Sequence, residues 1–351
     1  AVRDFAMVYY AVFFYLAANI VHRDPARLAV LLATLRISSV IMAVLFSIAV
    51  QWPGVLESAL TLRGVPLIFY KADLVGVFAG VGALLHFIRF EQTGRWRSVG
   101  FSLLLVGVVL MTNNRSALLA LAVGAAALGI AGRWRFPVLL GGGAVVAAVL
   151  LVAISTWRGD SWRDTPLVGA YERMVSLVDP LGTGSYQGEA TFNKGDNNRF
   201  RLVWWSEVIA ETIDTSPIYG LGFGYDLSAR FQRVYYGVSP EDFNARSPHS
   251  IAVTVFARMG LVGLVLFLGI IVQMVYWVWG AARRDDLEQL APSLMATMVF
   301  TSACFGVVLE GPMGAVVFWV MLGAGSGLMA AAQAKEDESA EATNAIKEAP
   351  R

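Results

Sequence analysis

The chain reads as an all-α polytopic membrane protein, and three observations predict this. Of its 351 residues 57% are hydrophobic and only 15% charged, and the mean hydropathy is +0.61, too apolar for a domain wetted on every side. Nine apolar runs follow one another, most of them near the ~17–25 residues that a helical bilayer crossing needs. A single large polar region interrupts them, and the stretch 197–263 within and after it is where polar and apolar character change hands.

The apolar runs are 5–21, 28–50, 74–88, 99–111, 116–132, 137–155, 251–280, 290–309 and 313–332. The fourth and fifth are short and flank Thr112-Asn113-Asn114-Arg115, the pattern of a helical hairpin. Arginines gather around Arg23 and Arg27, from Arg89 to Arg97, from Arg133 to Arg135 and at Arg283-Arg284. These loops alternate correctly with the others if all four are cytoplasmic. The polar region then faces the periplasm of a bacterial inner membrane, and so does Ala1. With no initiating Met, an odd number of preceding spans is expected to be missing. The expected organisation is 1–155 N-terminal spans, 156–248 a periplasmic loop region, 249–332 C-terminal spans and 333–351 a disordered cytoplasmic tail rich in Glu, Ala and Lys.

Composition excludes several function classes. A net charge of +1 without a basic block argues against nucleic acid as a partner. Cys304 is the one cysteine, so neither an intrachain disulfide nor a cysteine-based metal site is possible. No HExxH and no cluster of His with carboxylates is present, so no metal and no cofactor are expected.

Inside the polar region, 199–213 has helical periodicity, with Phe200, Val203, Trp204 and Val208 on one side and Asp196 or Asn197 as N-cap. Arg199 and Arg201 stand ~200° apart on such a helix, so only one of them can face a given site. Arg201, with Trp205 a turn later, is the better placed, and Arg199 the alternative. A guanidinium suits phosphate because its planar fork makes bidentate charge-assisted hydrogen bonds. Arg115, at the mouth of the short hairpin, reads either as an anion ligand at headgroup depth or as an interfacial anchor. His249 follows Pro248 where the chain re-enters the membrane and is the one histidine of the region, able to accept a proton near neutral pH. Its bland alternative is a structural role, the reading given to His86. Gly220-Leu221-Gly222-Phe223-Gly224 lacks the preceding strand and following helix of a dinucleotide site. It reads instead as a turn returning the amphipathic helix to the bilayer.

Taken in order, Asn114-Arg115-Ser116-Ala117, Arg201-Leu202-Val203-Trp204-Trp205, Pro217 with the glycines after it, His249 and Gly260-Leu261-Val262-Gly263 resemble the O-antigen ligase and polymerase superfamily of bacterial membrane glycosyltransferases. The resemblance covers about 112–267. It implies a type C glycosyltransferase-like helical bundle with a large periplasmic loop over the active site. It further implies that Arg115 and Arg201 bind the diphosphate of an undecaprenyl-linked glycan donor, and that His249 acts on the hydroxyl of a glycan or lipid A core acceptor among membrane lipids. Ser250 and Arg258 depart from the family pattern, which usually has Asn and an acidic residue there. The reading from another class is a transporter or flippase for an anionic lipid or glycan, using Arg36, Asp73, Arg258 and Glu310 as intramembrane charges. The absence of a repeat between halves argues against it.

Overall fold

The computed structural model describes residues 5, 8–52, 54–59, 61–63, 65–66, 71–112, 114–158, 189–235, 247–283 and 287–348. At 57, 59, 65–66, 144, 146–148, 150–152, 154–158, 189–199 and 342–348 the description is of backbone alone. The helices in chain order are α1 (Val12–Arg23), α2 (Ala26–Gln51), a short α3 (Val55–Ala59), α4 (Ala72–Thr93), α5 (Trp96–Met111), α6 (Arg115–Ile130), α7 (Arg135–Arg158), α8 (Glu189–Thr215), α9 (Ala229–Tyr235), α10 (Ile251–Arg283), α11 (Leu287–Ala303) and α12 (Pro312–Glu348). A small antiparallel hairpin pairs Thr61–Leu62 with Val65–Pro66.

Each of the nine apolar runs lies in or overlaps a helix, so the protein is an all-α polytopic membrane protein. Among the described residues Ala26–Gln51, Ala72–Thr93, Ile251–Arg283 and Pro312–Glu341 are long and apolar enough to cross a membrane. The hairpin helices α5 and α6 have 16 residues each. At 1.5 Å per residue each spans only ~24 Å, short of a ~30 Å hydrocarbon core.

The bundle is built around α4 and α11, whose side chains are buried almost all round: Val77, Ala83, Leu84, Ala291, Leu294 and Met298 have no accessible surface. Small residues let these helices close on their neighbours. A Cβ added to Gly124 of α6 would press on Met298, and one added to Gly82 of α4 would overlap Ser39 of α2. Gly323 and Gly327, one turn apart on α12, lie directly against the carbonyl groups of Phe14 and Ala18, so α12 packs along α1 backbone to backbone.

Helix alternation puts the start of α4, α6, α10 and α12 and the end of α5 and α11 at one end of the bundle. The basic loops sit at the other end, where Arg133 and Arg135 both pair with Glu91, at 3.2 and 3.3 Å. Phe5 touches Phe223 edge-on at 5.3 Å, so the chain's beginning lies at the end that carries the polar region.

In the segment expected to be a tail, α12 continues to Glu348. Ala, Glu and Lys are strong helix formers, and a helix already nucleated in the bundle propagates through them without a further nucleation cost.

Candidate active site

Three elements bring the predicted side chains to one end of the bundle. Arg115 is the first residue of α6. Asn114 caps that helix: its Oδ1 accepts the backbone N–H groups of Ser116 at 2.9 Å and Ala117 at 3.2 Å, and the Ser116 hydroxyl at 2.7 Å. A cation at a helix N-terminus adds to the positive end of the dipole, which is unfavourable for the helix and favourable for an anion in front of it.

Arg201 is on α8, and the apolar face expected for that helix is the one that packs. Trp204 and Val208 are buried in a cluster with Leu227 and Phe231 on one side and Val253 and Ala257 of α10 on the other, with Phe200 and Val203 at its edge. Trp204 stacks on Phe231 at 5.3 Å and donates its indole N–H to the Leu227 carbonyl at 2.9 Å. With that face fixed, Arg201 turns toward the loop after α11 and donates from Nη1 to the Phe305 carbonyl at 2.8 Å. Burial pushes its guanidinium pKa down, Arg115's positive charge pushes the same way, and Asp73 opposes both. Two guanidinium groups within electrostatic reach of each other repel, and an anion between them relieves the repulsion. Arg199 lies on the same helix two residues earlier, and its side chain is outside the described residues.

His249 lies in the short segment before α10, half-buried, with its ring 6.2 Å from Trp204. Its φ of 56° is in the left-handed region, which a non-glycine residue occupies only when its surroundings hold it there. One of those holds is Trp205, whose indole N–H donates to the Pro248 carbonyl at 2.5 Å. Burial pushes the His249 imidazole pKa down, Arg201 and to a smaller extent Lys71 push it further, and Asp73 pulls it back up. The neutral ring is therefore favoured, and that is the form able to accept a proton.

The glycine motif has a structural task. The helix α10 is broken at Gly260, where φ is 61° and ψ −152°. The 217–222 segment satisfies the groups freed there: Leu221 N–H donates to Ala257 O at 2.7 Å, Gly222 N–H to Arg258 O at 3.2 Å, and Leu261 N–H to Pro217 O at 2.8 Å. A Cβ on Gly220 would come within 2.6 Å of the backbone at Arg258 and Gly260, so only glycine permits this approach. Arg258 closes the same joint by donating to the Gly222 and Tyr225 carbonyls at 3.1 and 2.5 Å. Its cation serves the turn.

The residues weighed for a carrier separate. Arg36 lies in α2 within reach of Arg89, toward the basic end. Asp73, at the start of α4, is among the charges that act on Arg201 and His249, and Glu310, after α11, contacts Ser247 and Thr254 beside them. Sequence reasoning did not join these carboxylates, nor Lys71 and the Phe305 carbonyl, to the site, because only long-range packing brings them there. Among the described residues no group of three His, Cys, Asp or Glu side chains is placed to hold a metal ion.

Fold and site together define a polytopic helical membrane protein with a cationic, histidine-bearing site at one end of its bundle. Residues 100–268 match the family model of the O-antigen ligases, which supports assigning the chain to that family. That family implies a glycosyltransferase-like enzyme with polysaccharide and lipid-linked substrates in general. No curated protein matches the chain. The matched span runs from α5 into α10 and includes Arg115, Arg201 and His249.

Proposed function

We propose that the protein transfers a preassembled glycan from undecaprenyl diphosphate to a sugar hydroxyl, as an O-antigen ligase does, at the periplasmic face of the bacterial inner membrane. The acceptor is a glycan such as lipid A core, and polymerisation of the same glycan is the sister reaction of the family. The observation that supports this reading best is the convergence at one end of a membrane bundle of Arg201, with Arg115 within electrostatic reach of it, and a neutral-biased imidazole.

In this reading the acceptor oxygen attacks the anomeric carbon, and the bond from that carbon to the diphosphate oxygen breaks with its electron pair leaving on the diphosphate. Arg115 and Arg201 stabilise that growing charge, with Arg199 as the alternative donor on α8. His249 takes the hydroxyl proton. The donor already carries a good leaving group, so charge neutralisation and positioning suffice without a metal.

The test is transfer by the purified protein in nanodiscs with a lipid-linked glycan and an acceptor. His249→Ala is expected to lower the rate by ~10²–10⁴-fold while donor binding persists, and chelators are expected to change nothing. Undiminished transfer by His249→Ala would require another base. Gene deletion then separates the two sister reactions: accumulated lipid-linked polymer marks a ligase, and surface glycan reduced to single repeat units marks a polymerase.

A further inference from the structure

We propose that Glu310, in the link between α11 and α12, is a positioning residue for His249, acting through the Ser247 hydroxyl. This rests on the reading that His249 takes the acceptor's proton.

His249 holds a left-handed φ, a conformation that a side chain with a Cβ resists. The contact nearest to that strain is the His249 N–H, which donates to Ser247 Oγ at 3.3 Å. A hydroxyl has one hydrogen to give, and Ser247 gives it to Glu310 Oε1. In its ionised form the Glu310 carboxylate only accepts, so it orients the Ser247 hydroxyl, which presents its lone pairs to His249. Thr254, one turn into α10, lies with its hydroxyl 3.5 Å from the same carboxylate oxygen. Glu310 thus grips the chain on both sides of His249.

The end of α11 and the link after it make the same kind of contact with the other two site elements. The Ser302 hydroxyl meets that of Ser116, next to Arg115, at 3.0 Å, and the Phe305 carbonyl receives Arg201. One segment, 302–310, therefore touches all three elements that carry the predicted site. It lies wholly outside the stretch that matches the family model.

The carboxylate itself is part-buried, with the positive charges of Arg258 and Lys71 within reach. Burial pushes its pKa up, while the Ser247 and Thr254 hydroxyls, Arg258 and Lys71 draw it back. Glu310 is not among the charges that shift His249, so its influence on the imidazole is geometric.

The experiment is a double-mutant cycle in the nanodisc transfer assay. Glu310→Ala is expected to lower turnover by ~10²-fold, the scale of a small misplacement of a reacting group. In a His249→Ala background the same change should alter the residual rate by no more than about twofold, because the group it positions is gone. Ser247→Ala should reproduce Glu310→Ala without touching the carboxylate. Glu310→Gln, which keeps an acceptor oxygen toward Ser247, should recover most of the loss. An equal loss from Glu310→Ala in both backgrounds would show that it acts elsewhere or on folding, and a wild-type rate for Glu310→Ala would remove the role altogether. If His249→Ala alone transfers at the wild-type rate, the base assignment fails first, and this proposal falls with it.

Discussion

The two ends of the helical bundle both carry arginines and use them in opposite ways. At the end formed by the loops after α1, α4 and α6, guanidinium groups meet carboxylates: Arg27 with Asp24, and Arg133 and Arg135 with the one buried side chain of Glu91. At the other end Arg201 donates to a backbone carbonyl, while Arg115 pushes against it electrostatically. Ion-paired arginines hold loops together. A positive charge beside a helix N-terminus costs stability, and a bound anion offsets that cost.

The sharpest way to break this contrast is to remove the fork and keep the charge. Arg115→Lys and Arg201→Lys should each lower transfer by at least ~10-fold, equivalent to ~1.4 kcal/mol of transition-state stabilisation, at unchanged protein level. Arg133→Lys and Arg135→Lys should leave the rate unaltered. Arg199→Lys should be much milder than Arg201→Lys, and equal damage from both would reverse the assigned helix face.

Glycines offer a second comparison, read by thermal unfolding. Gly260 and Gly94 both have positive φ, but a Cβ on Gly260 meets the Ile218 carbonyl and one on Gly94 meets nothing. Gly94→Ala should cost ~1–2 kcal/mol. Gly260→Ala adds the backbone collision and should cost at least ~1 kcal/mol more.

The pH dependence sharpens the account of the site end. His249 accepts a proton only when neutral, so transfer should fall as pH drops through its pKa. Burial and Arg201 set that midpoint below the ordinary ~6.5. Removing the positive charge with Arg201→Gln should move the midpoint up in whatever activity remains. Asp73→Asn, which removes the charge that favours the imidazolium, should move it down. A midpoint indifferent to both changes would mean that the titrating group is not His249. The smallest effect is expected of Glu91→Gln, which should weaken the basic end's ion pairs by no more than ~1 kcal/mol, since Arg135 is largely exposed, and leave transfer alone.

Much of the fold was legible because it is local. Every apolar run falls on a helix, and the face of α8 that packs is the one its spacing marks, since period alone decides which side a helix buries. The alternation of basic loops likewise follows from order along the chain. What escaped was the joint at Gly260. The glycines of 220–224 announce a turn, but nothing local says that its backbone will satisfy a break in a helix some forty residues away. The role of Arg258 was hidden with it, and so was the Glu310–Ser247 contact, which spans 63 positions. In the tail a polar, charged composition signals disorder, while the same residues extend a helix that the bundle has already started.

The central claim is that the repelling arginine pair is built for a diphosphate. Its most direct test is the affinity of the nanodisc-embedded protein for undecaprenyl diphosphate without glycan, compared between wild type, Arg201→Lys and Arg133→Lys. The account predicts at least ~10-fold weaker binding for Arg201→Lys and wild-type binding for Arg133→Lys. Equal affinity in all three, or equal weakening in both variants, would contradict it.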